Sequence, residues 1–240
     1  MHRFPTRILT SLMPLASLAT LLAATLPARG DEPGEPPHRV FATSRFSIDE
    51  IWSHGRRSVL RPLLEQRGFV QSRVLHQLRR PGAEPVTQPN VPDGIDVRPF
   101  HPGRDEEAWL AVNSAAFAHH PEQGGVTLED LRALEAEPWF AADGFFLAWR
   151  GTELLGYHWT KIHPDGNGEV YVLGVSPAAQ GLGLGRVLLD VGLRHLAGKG
   201  CPEVLLYVDE SNTGAMHLYE SNGFARFDVD IQWTVQRTSG

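Results

Sequence analysis

The sequence predicts a mixed α/β domain over residues 94–240, in which helices cover a sheet of parallel and antiparallel strands. A strand is indicated at 170–173, where β-branched, aromatic and aliphatic residues follow one another. A glycine-rich loop follows at 180–185, and apolar residues then recur at helical spacing as far as Leu196. With the flanking segments, these patterns give the element order β-α-α-β-β-β-α-β-α-β, which indicates a mixed sheet.

The other elements follow from apolar spacing and from residues that begin or end helices and strands. Thr127 can cap a helix with Asp130 at the capping-box position, and Pro138 is expected to end that helix. Residues 150–153 have the composition of a hairpin turn. Further strands or helices are expected at 95–99, 105–117, 145–149, 154–162, 204–208, 212–221 and 224–235, whereas 119–125 is predicted to be a loop too polar for the core.

Composition and charge exclude several classes of protein. The 240 residues carry a net charge of −6 and the arginines are scattered, so a general nucleic-acid surface is not expected. Cys201 is the single cysteine, which excludes an internal disulfide. His119 and His120 are adjacent and cannot readily face one ion, and no other set has ligand spacing, so no metal is predicted.

Residues 1–30 differ in character from the rest of the chain. Arg3 and Arg7 precede an apolar run, as in a secretory signal, but no clean cleavage site follows. Pro14 weakens the case for a membrane-spanning helix, and an aberrant segment without an export function is the alternative. Residues 31–40 and 81–93 are rich in proline and are predicted to be linkers.

The segment 41–80 echoes the C-terminal part of the chain. Three features align at one offset: Trp52 with Tyr207, Leu64 with Tyr219, and Gly68-Phe69 with Gly223-Phe224. Each copy is predicted to be a strand, a helix ended by glycine, and a second strand. We therefore interpret 41–80 as the second half of a domain that 94–240 contains whole, and expect it to dock there or to be poorly ordered. Coincidence is the alternative, because helices ending in Gly-Phe are common.

The glycine-rich loop predicts a site for an anion. Glycines let the backbone approach a ligand, and the dipole of the following helix favours negative charge. The glycines at 181, 183 and 185 lack the spacing of a dinucleotide fold, and the lysine of a P-loop is missing. The order Gln-x-x-Gly-x-Gly after a strand instead resembles the pyrophosphate loop of the GNAT N-acetyltransferases, whose fold has the same element order. A tight connection without a ligand is the alternative.

A more specific resemblance covers about residues 94–235. It rests on HHPEQGG at 119–125, EAEPWF at 135–140, GYHWTKIHP at 156–164, GEVYVLGVSPAAQGLGLGR at 168–186 and LLYVDESNTGAMHLYESNGF at 205–224. These segments resemble the catalytic C-terminal domain of the mycothiol synthases, GNAT enzymes with two GNAT domains. The resemblance implies transfer of acetyl from acetyl-CoA to the cysteinyl amine of desacetylmycothiol, in the cytoplasm, giving mycothiol and CoA. The chain departs from that family at its front, where the signal-like segment replaces half of the first domain.

The resemblance implies three groups of cofactor contacts. Leu173, Gly174 and Val175 would present backbone groups, and Gly174 would let the pantetheine arm approach and splay the strand, with a plain β-bulge as the alternative. The loop would contribute Gln180, Gly181, Leu182, Gly183, Leu184, Gly185 and Arg186. The last helix would contribute Asn212, Thr213, Gly214, Ala215, Met216 and His217, although Asn212 could simply cap that helix.

Amide formation needs a neutral amine and a proton for the leaving thiolate. Glu169, at the start of the central strand, is the candidate base, and a solvated strand-end acid is the alternative. Tyr219 is the candidate acid, and aromatic packing is the alternative. Glu122, Lys161 and Tyr207 are candidate substrate contacts beside Glu169; the alternatives are surface charge for the first two and core packing for Tyr207.

Other functions stay open at this point. They are a GNAT enzyme for another small amine or a peptide N-terminus, a catalytically impaired acetyl-CoA-binding protein, and a secreted envelope-binding protein. The favoured interpretation expects a small-molecule partner, a monomer, and no nucleic-acid or membrane partner.

Overall fold

A computed structural model describes residues 40–42, 50–55 and 60–235. The predicted signal-like segment 1–30 and nearly all of the linker 31–40 lie outside the described residues. In chain order the elements are β1 (Val40–Ala42), β2 (Glu50–His54), α1 (Leu60–Gln66), β3 (Phe69–Pro81), β4 (Asp96–Pro99), α2 (Glu106–Ala116), α3 (Pro121–Gly124), α4 (Leu128–Glu135), β5 (Phe145–Arg150), β6 (Glu153–Ile162), β7 (Gly168–Val175), α5 (Leu184–Gly198), β8 (Glu203–Asp209), α6 (Thr213–Glu220) and β9 (Ala225–Val235). None of these helices is long and apolar enough to cross a bilayer.

The described residues divide into two compact units. The first comprises 80–206, and the second comprises the described parts of 40–79 together with 207–235. This division differs from the predicted one, in which 41–80 is a partial domain and 94–240 a whole one. The predicted boundaries were drawn from sequence similarity and stay a prediction.

The 80–206 unit contains a mixed sheet with the strand order β8-β7-β6-β5-β4. The strands from β4 to β7 pair antiparallel, and β7 pairs parallel with β8, so the predicted mixed sheet is confirmed. Arg150 pairs with Glu153 at the end of the β5–β6 hairpin, as the turn composition predicts. Gly151 in that turn has a φ of +60°, which glycine adopts without strain.

The central strand β7 leads into the glycine-rich loop. Its pairing with β8 covers Gly168 with Val204 and Glu169 with Leu205, whereas its pairing with β6 continues to Val175. Gly183 caps the N-terminus of α5 in the left-handed conformation, with a φ of +72°. The predicted succession of strand, glycine-rich loop and helix is therefore confirmed.

Aromatic side chains fill one side of the sheet in this unit. Trp159 stacks on Phe145 with ring centroids 4.4 Å apart, and Trp109 meets Trp159 edge-on at 6.0 Å. The helix α4 covers part of this core with the predicted capping box, in which Thr127 and Asp130 bond reciprocally. The helix ends at Glu135, three residues before the expected end at Pro138.

The expectation that 119–125 is too polar for the core is wrong at Gln123, whereas His119 and Gly125 are exposed as expected. Residues Pro121–Gly124 form the short helix α3, and Gln123 is only 2% exposed. Its carbonyl oxygen accepts from Asn113 Nδ2 at 2.6 Å, and its Nε2 donates to Asn113 Oδ1 at 2.8 Å. The hydroxyl of Tyr157 also donates to Asn113 Oδ1, at 2.6 Å. Gln123 can enter the core here because Asn113 pairs with its backbone carbonyl and its side-chain Nε2, whereas its Oε1 is buried without a partner among the described residues.

The predicted linker 81–93 has no helix or strand after Pro81, but its first half is held by hydrogen bonds to other residues of the 80–206 unit. Gly82 N–H donates to the carbonyl of Pro202 at 2.8 Å. The buried Arg80 donates to the carbonyls of Glu84 and Pro85, each at 2.9 Å. These bonds fix the path of a connection whose composition suggested only flexibility.

The second unit contains an antiparallel sheet with the strand order β1-β2-β9-β3. The segment 41–80 therefore packs on the C-terminal strand β9, which lies between β2 and β3. Ile51, Leu64 and Trp233 form its buried cluster, and Trp233 Nε1 donates to Ser53 Oγ at 2.9 Å. Pairing on both sides of β9 removes the exposed sheet edge that an isolated half domain would leave.

Candidate active site

The loop between β7 and α5 presents a run of backbone N–H groups. Among the described residues, nothing accepts a hydrogen bond from the amides of 181–185, whereas Arg186 N–H donates to the carbonyl of Gly183 at 3.1 Å. Residues 180–183 are exposed. Unpaired amides at a helix N-terminus favour an anion, and the left-handed Gly181 and Gly183 leave no side chain over them. The loop therefore suits an anionic group.

The side chains of this loop have separate roles. Leu184 is 1% exposed and packs with Leu155 and Ala179, so its predicted contact with a cofactor can involve only the backbone. Arg186 Nε donates to Asp190 at 3.1 Å, and its Nη2 donates to Thr87 Oγ1 at 3.3 Å. The guanidinium is thus held by the helix and by the 81–93 segment, with its side chain still 42% exposed.

Close packing against Tyr157 explains why residue 174 is glycine. A Cβ there would lie between 2.8 and 3.0 Å from the ring and hydroxyl of Tyr157. The β-bulge considered for this position lies elsewhere, because the register shift between β6 and β7 falls opposite Tyr171. The approach of a cofactor arm to Leu173, Gly174 and Val175 stays a prediction.

A charged cluster lies at the opposite end of β7. Glu169 is 4% exposed, so the alternative of a solvated strand-end acid is wrong. Its Oε2 lies 2.7 Å from His163 Nε2, and its cross-strand partner on β6 is Lys161. A carboxylate in this setting is desolvated and held in one orientation, as a proton acceptor in an active site must be.

Lys161 is equally enclosed, at 4% exposed, so the alternative of a surface charge is wrong. Its Nζ lies 4.4 Å from the ring centroid of Trp139 and 5.4 Å from that of Tyr171. Burial lowers the pKa of Lys161, and the charges of Glu169 and Glu137 act against that shift. An ammonium held against aromatic rings can bind an acceptor oxygen close to Glu169.

Tyr219 lies on α6, in the second unit. It is 7% exposed and packs edge-on against Phe224, with ring centroids 5.8 Å apart. Its hydroxyl makes no hydrogen bond to any described residue. Burial raises the pKa of Tyr219, which keeps the hydroxyl protonated at neutral pH.

The predicted cofactor contacts on α6 divide into exposed and structural positions. Asn212 Oδ1 accepts from the Ala215 N–H at 3.1 Å, so its role as the helix cap is confirmed. Met216 is buried, whereas Thr213, Gly214 and His217 are exposed. A ligand could therefore contact α6 at Thr213 and Gly214 in its first turn and at the exposed His217 further along.

Two of the predicted substrate contacts have partners that the sequence did not reveal. Tyr207 is half-buried, and its hydroxyl accepts a short hydrogen bond from Gln77 on β3. His163 is the partner of Glu169, and the tight β6–β7 connection was the signal that could have found it.

Glu122 lies on α3, but its side chain lies outside the described residues. In the described ranges, no group of three or more histidine, cysteine or acidic side chains could hold a metal.

The fold and these elements define a class of protein. Residues 109–224 match the family described as Acetyltransferase (GNAT) family. A GCN5-related N-acetyltransferase structure from Sphaerobacter thermophilus superposes with a TM-score of 0.66 at 26% identity, covering 77% of this chain and 58% of that one. The chain therefore contains a segment of the GNAT acetyltransferase family at residues 109–224.

Within that family, the chain is similar to proteins named mycothiol acetyltransferase. It is 57% identical to the one from Thermomonospora curvata over 184 residues, which cover 76% of this chain and 62% of the relative. It is 54% identical to that of Geodermatophilus obscurus over 191 residues, with coverage of 76% and 62%. The chain thus spans about three fifths of the length of the curated relatives it matches.

Proposed function

We propose that this protein is an N-acetyltransferase that moves acetyl from acetyl-CoA to the cysteinyl amine of desacetylmycothiol, giving mycothiol and CoA. The observation that carries the proposal is the strand β7, which bears the enclosed Glu169 near one end and leads at the other into the loop of unpaired amides. From Glu169 to Val175 the strand spans roughly 20 Å, which suits an elongated cofactor with its reacting end at the carboxylate. The similar proteins are named mycothiol acetyltransferase, and the sequence resemblance implies the cysteinyl amine of desacetylmycothiol as the acceptor.

Each group in the proposed mechanism has a chemical task. Acetyl-CoA supplies the acetyl group as a thioester. Glu169 takes a proton from the acceptor ammonium, directly or through water, which frees the nitrogen lone pair to attack the thioester carbonyl. Backbone groups of residues 173–175 stabilise the developing oxyanion, and the amides of 181–185 bind the diphosphate. The Tyr219 hydroxyl gives its proton to the thiolate as the carbon–sulfur bond breaks. The nitrogen, now bonded to the acetyl carbon, releases its second proton to solvent, from which the Tyr219 phenolate is reprotonated.

The acceptor contacts are proposed from charge and burial. Lys161 binds an oxygen of the acceptor beside Glu169, because its ammonium is desolvated and faces that carboxylate across the sheet. Glu122 and Tyr207 are retained as contacts to the sugar, inositol or cysteinyl group on the strength of the sequence resemblance. The chain would act in the cytoplasm, where acetyl-CoA is available, through a ternary complex.

The proposal is tested by an acceptor panel on the full chain. CoA release is measured with desacetylmycothiol, simple amines and a peptide N-terminus, and we expect the highest kcat/KM for desacetylmycothiol. Glu169→Gln is expected to lower kcat by about 100-fold or more, because it removes the base without changing the shape of the side chain. Equal rates on all acceptors would favour a GNAT enzyme for another amine, and CoA binding without turnover would favour an impaired acetyl-CoA-binding protein.

A further inference from the structure

His163 and Glu169 form a hydrogen-bonded pair at the end of the β6–β7 hairpin. His163 Nε2 lies 2.7 Å from Glu169 Oε2, with the histidine side chain 25% exposed and the glutamate side chain 5% exposed. The imidazole is therefore the more exposed member of the pair. Its Nε2–H is the donor when Glu169 is ionised.

The backbone of the hairpin fixes where this imidazole stands. The β6–β7 register pairs Lys161 with Glu169. The N–H of His163 donates to the carbonyl of Asn167, and the N–H of Gly166 donates to the carbonyl of His163, both at 2.9 Å. The left-handed Gly166 closes this turn with a φ of +86°. The position of His163 is therefore set by the turn, independently of its bond to Glu169.

The pair leaves the two oxygens of the Glu169 carboxylate in different states. Oε2 is bonded to His163, and among the described residues nothing donates to Oε1. Lys161 lies across the strand pair, but its ammonium rests over Trp139 and Tyr171 and makes no hydrogen bond to the carboxylate. His163 thus supplies the one hydrogen bond that orients Glu169 within the described part of the chain.

We propose that His163 is the positioning residue for Glu169, holding Oε2 so that Oε1 alone faces the acceptor amine. This inference rests on the proposed function, in which Glu169 is the base. Without the bond, the carboxylate can rotate about its side-chain torsions and approach the Lys161 ammonium. A base displaced by about 1 Å can lose a large part of its effect, while binding of acetyl-CoA at the far end of β7 is untouched.

Charged and titratable groups around His163 and Glu169 would affect the pH dependence of activity. Lys161 and Tyr171 face Glu169 from β6 and β7, Glu137 acts on Lys161, and Asp165 lies close to His163 on the same turn. Because several groups titrate near one another, a change in a pH profile alone would not identify His163. The test therefore uses two variants that differ in which ring nitrogen they mimic.

The experiment compares His163→Gln with His163→Asn in the full chain. The glutamine amide can place its nitrogen near Nε2 and donate to Glu169, whereas the asparagine amide mimics Nδ1 and falls short. We expect His163→Asn to lower kcat by about 10-fold to 100-fold and His163→Gln to stay within about threefold, with the KM for acetyl-CoA unchanged in both. In a Glu169→Gln background, His163→Asn should lower kcat by less than about twofold, because the carboxylate that His163 positions is no longer present.

Three results would overturn the inference while leaving the proposed function intact. One is wild-type kcat in His163→Asn, and a second is an equal loss in the asparagine and glutamine variants, which would indicate a purely structural histidine. An undiminished loss in the Glu169→Gln background would likewise disprove positioning through Glu169. Absence of acetyl transfer by the wild type to every amine is the distinct result that overturns the proposed function itself. His101→Asn, an exposed histidine on another loop, is the control and should behave as wild type.

Discussion

The second unit contains two segments of the same local form, and their helices differ at the one aligned position that is buried in both. In the first, α1 is followed by the left-handed Gly68 and by β3; in the second, α6 is followed by the left-handed Gly223 and by β9. The turns use equivalent bonds, since Gly68 N–H donates to the carbonyl of Glu65 at 3.1 Å and Gly223 N–H to that of Glu220 at 3.2 Å. The sequence echo therefore corresponds to a shared conformation of these turns.

The difference lies between Leu64 and Tyr219, which occupy the same place in the two helices. Leu64 is 6% exposed and Tyr219 is 7% exposed, so the position requires a buried apolar group in both. Leucine satisfies that requirement without a polar atom, and the hydroxyl of Tyr219 has no partner among the described residues. Burial accounts for the ring of Tyr219 but not for its hydroxyl, which the proposed function uses as the acid.

The largest effect that follows from this comparison concerns the hydroxyl. Tyr219→Phe is expected to lower kcat by about 100-fold, because the thiolate loses its proton donor, while the free energy of unfolding changes little. Steady-state release of CoA measures the first quantity and urea unfolding the second. Since burial raises the pKa of Tyr219, the wild-type kcat should show no loss from its ionisation as the pH rises to about 10.

Tyr207→Phe is the matched control, because it also removes one tyrosine hydroxyl, here one bonded to Gln77. It should affect the KM of the acceptor more than kcat. If Tyr219→Phe retained wild-type kcat, the hydroxyl would have no role as an acid, and the two segments would differ only in packing.

The second prediction tests whether the buried side chain of Leu64 stabilises the fold by packing. Leu64→Ala should lower the free energy of unfolding by roughly 3 kcal/mol, because it leaves a cavity beside Ile51 and Trp233. Urea unfolding followed by tryptophan fluorescence measures the loss. Leu63→Ala is the control, since Leu63 is 42% exposed and its removal should cost less than about 0.5 kcal/mol. Equal costs for the two variants would contradict the packing role.

The sequence predicted those elements whose conformation depends on residues close together in the chain. The glycine-rich loop before α5, the hairpin at Gly151 and the capping box at Thr127 depend on residues within a few positions of one another. Their conformations follow from glycine's access to left-handed backbone and from short-range hydrogen bonds. The same signals placed Glu169 at the start of the central strand, where the structure pairs it with Lys161.

The parts that the sequence could not reveal depend on distant partners. The entry of Gln123 into the core requires Asn113 and Tyr157, and the glycine at 174 is explained by the Tyr157 ring. The grouping of β2 and β3 with β9 joins residues far apart in the chain. Periodicity reports which face of an element is apolar, but it carries no information about which element will cover that face.

A third prediction compares the two glycines that close the segments. Gly68→Ala and Gly223→Ala should each lower the free energy of unfolding by about 1 to 2 kcal/mol, because a Cβ is strained at a φ of +80° or +84°. No atom lies within 4 Å of a Cβ built on Gly68, so the cost there comes from the backbone alone. Gly68→Asn should recover part of it, since asparagine tolerates this conformation. A neutral effect of both alanines would show that the shared turns are not constrained.

The smallest effect concerns the cap of α6, where stability and cofactor binding can be separated. Asn212→Ala should lower the free energy of unfolding by about 1 kcal/mol, because the Ala215 N–H loses its acceptor. Asn212→Asp keeps that bond and should unfold as the wild type does, but it places a negative charge at the first turn of α6. If this turn contacts CoA as proposed, the aspartate variant raises the KM for acetyl-CoA, since two like charges then approach each other. An unchanged KM would restrict Asn212 to capping, and the second segment would then contribute to chemistry through Tyr219 without help from its own cap.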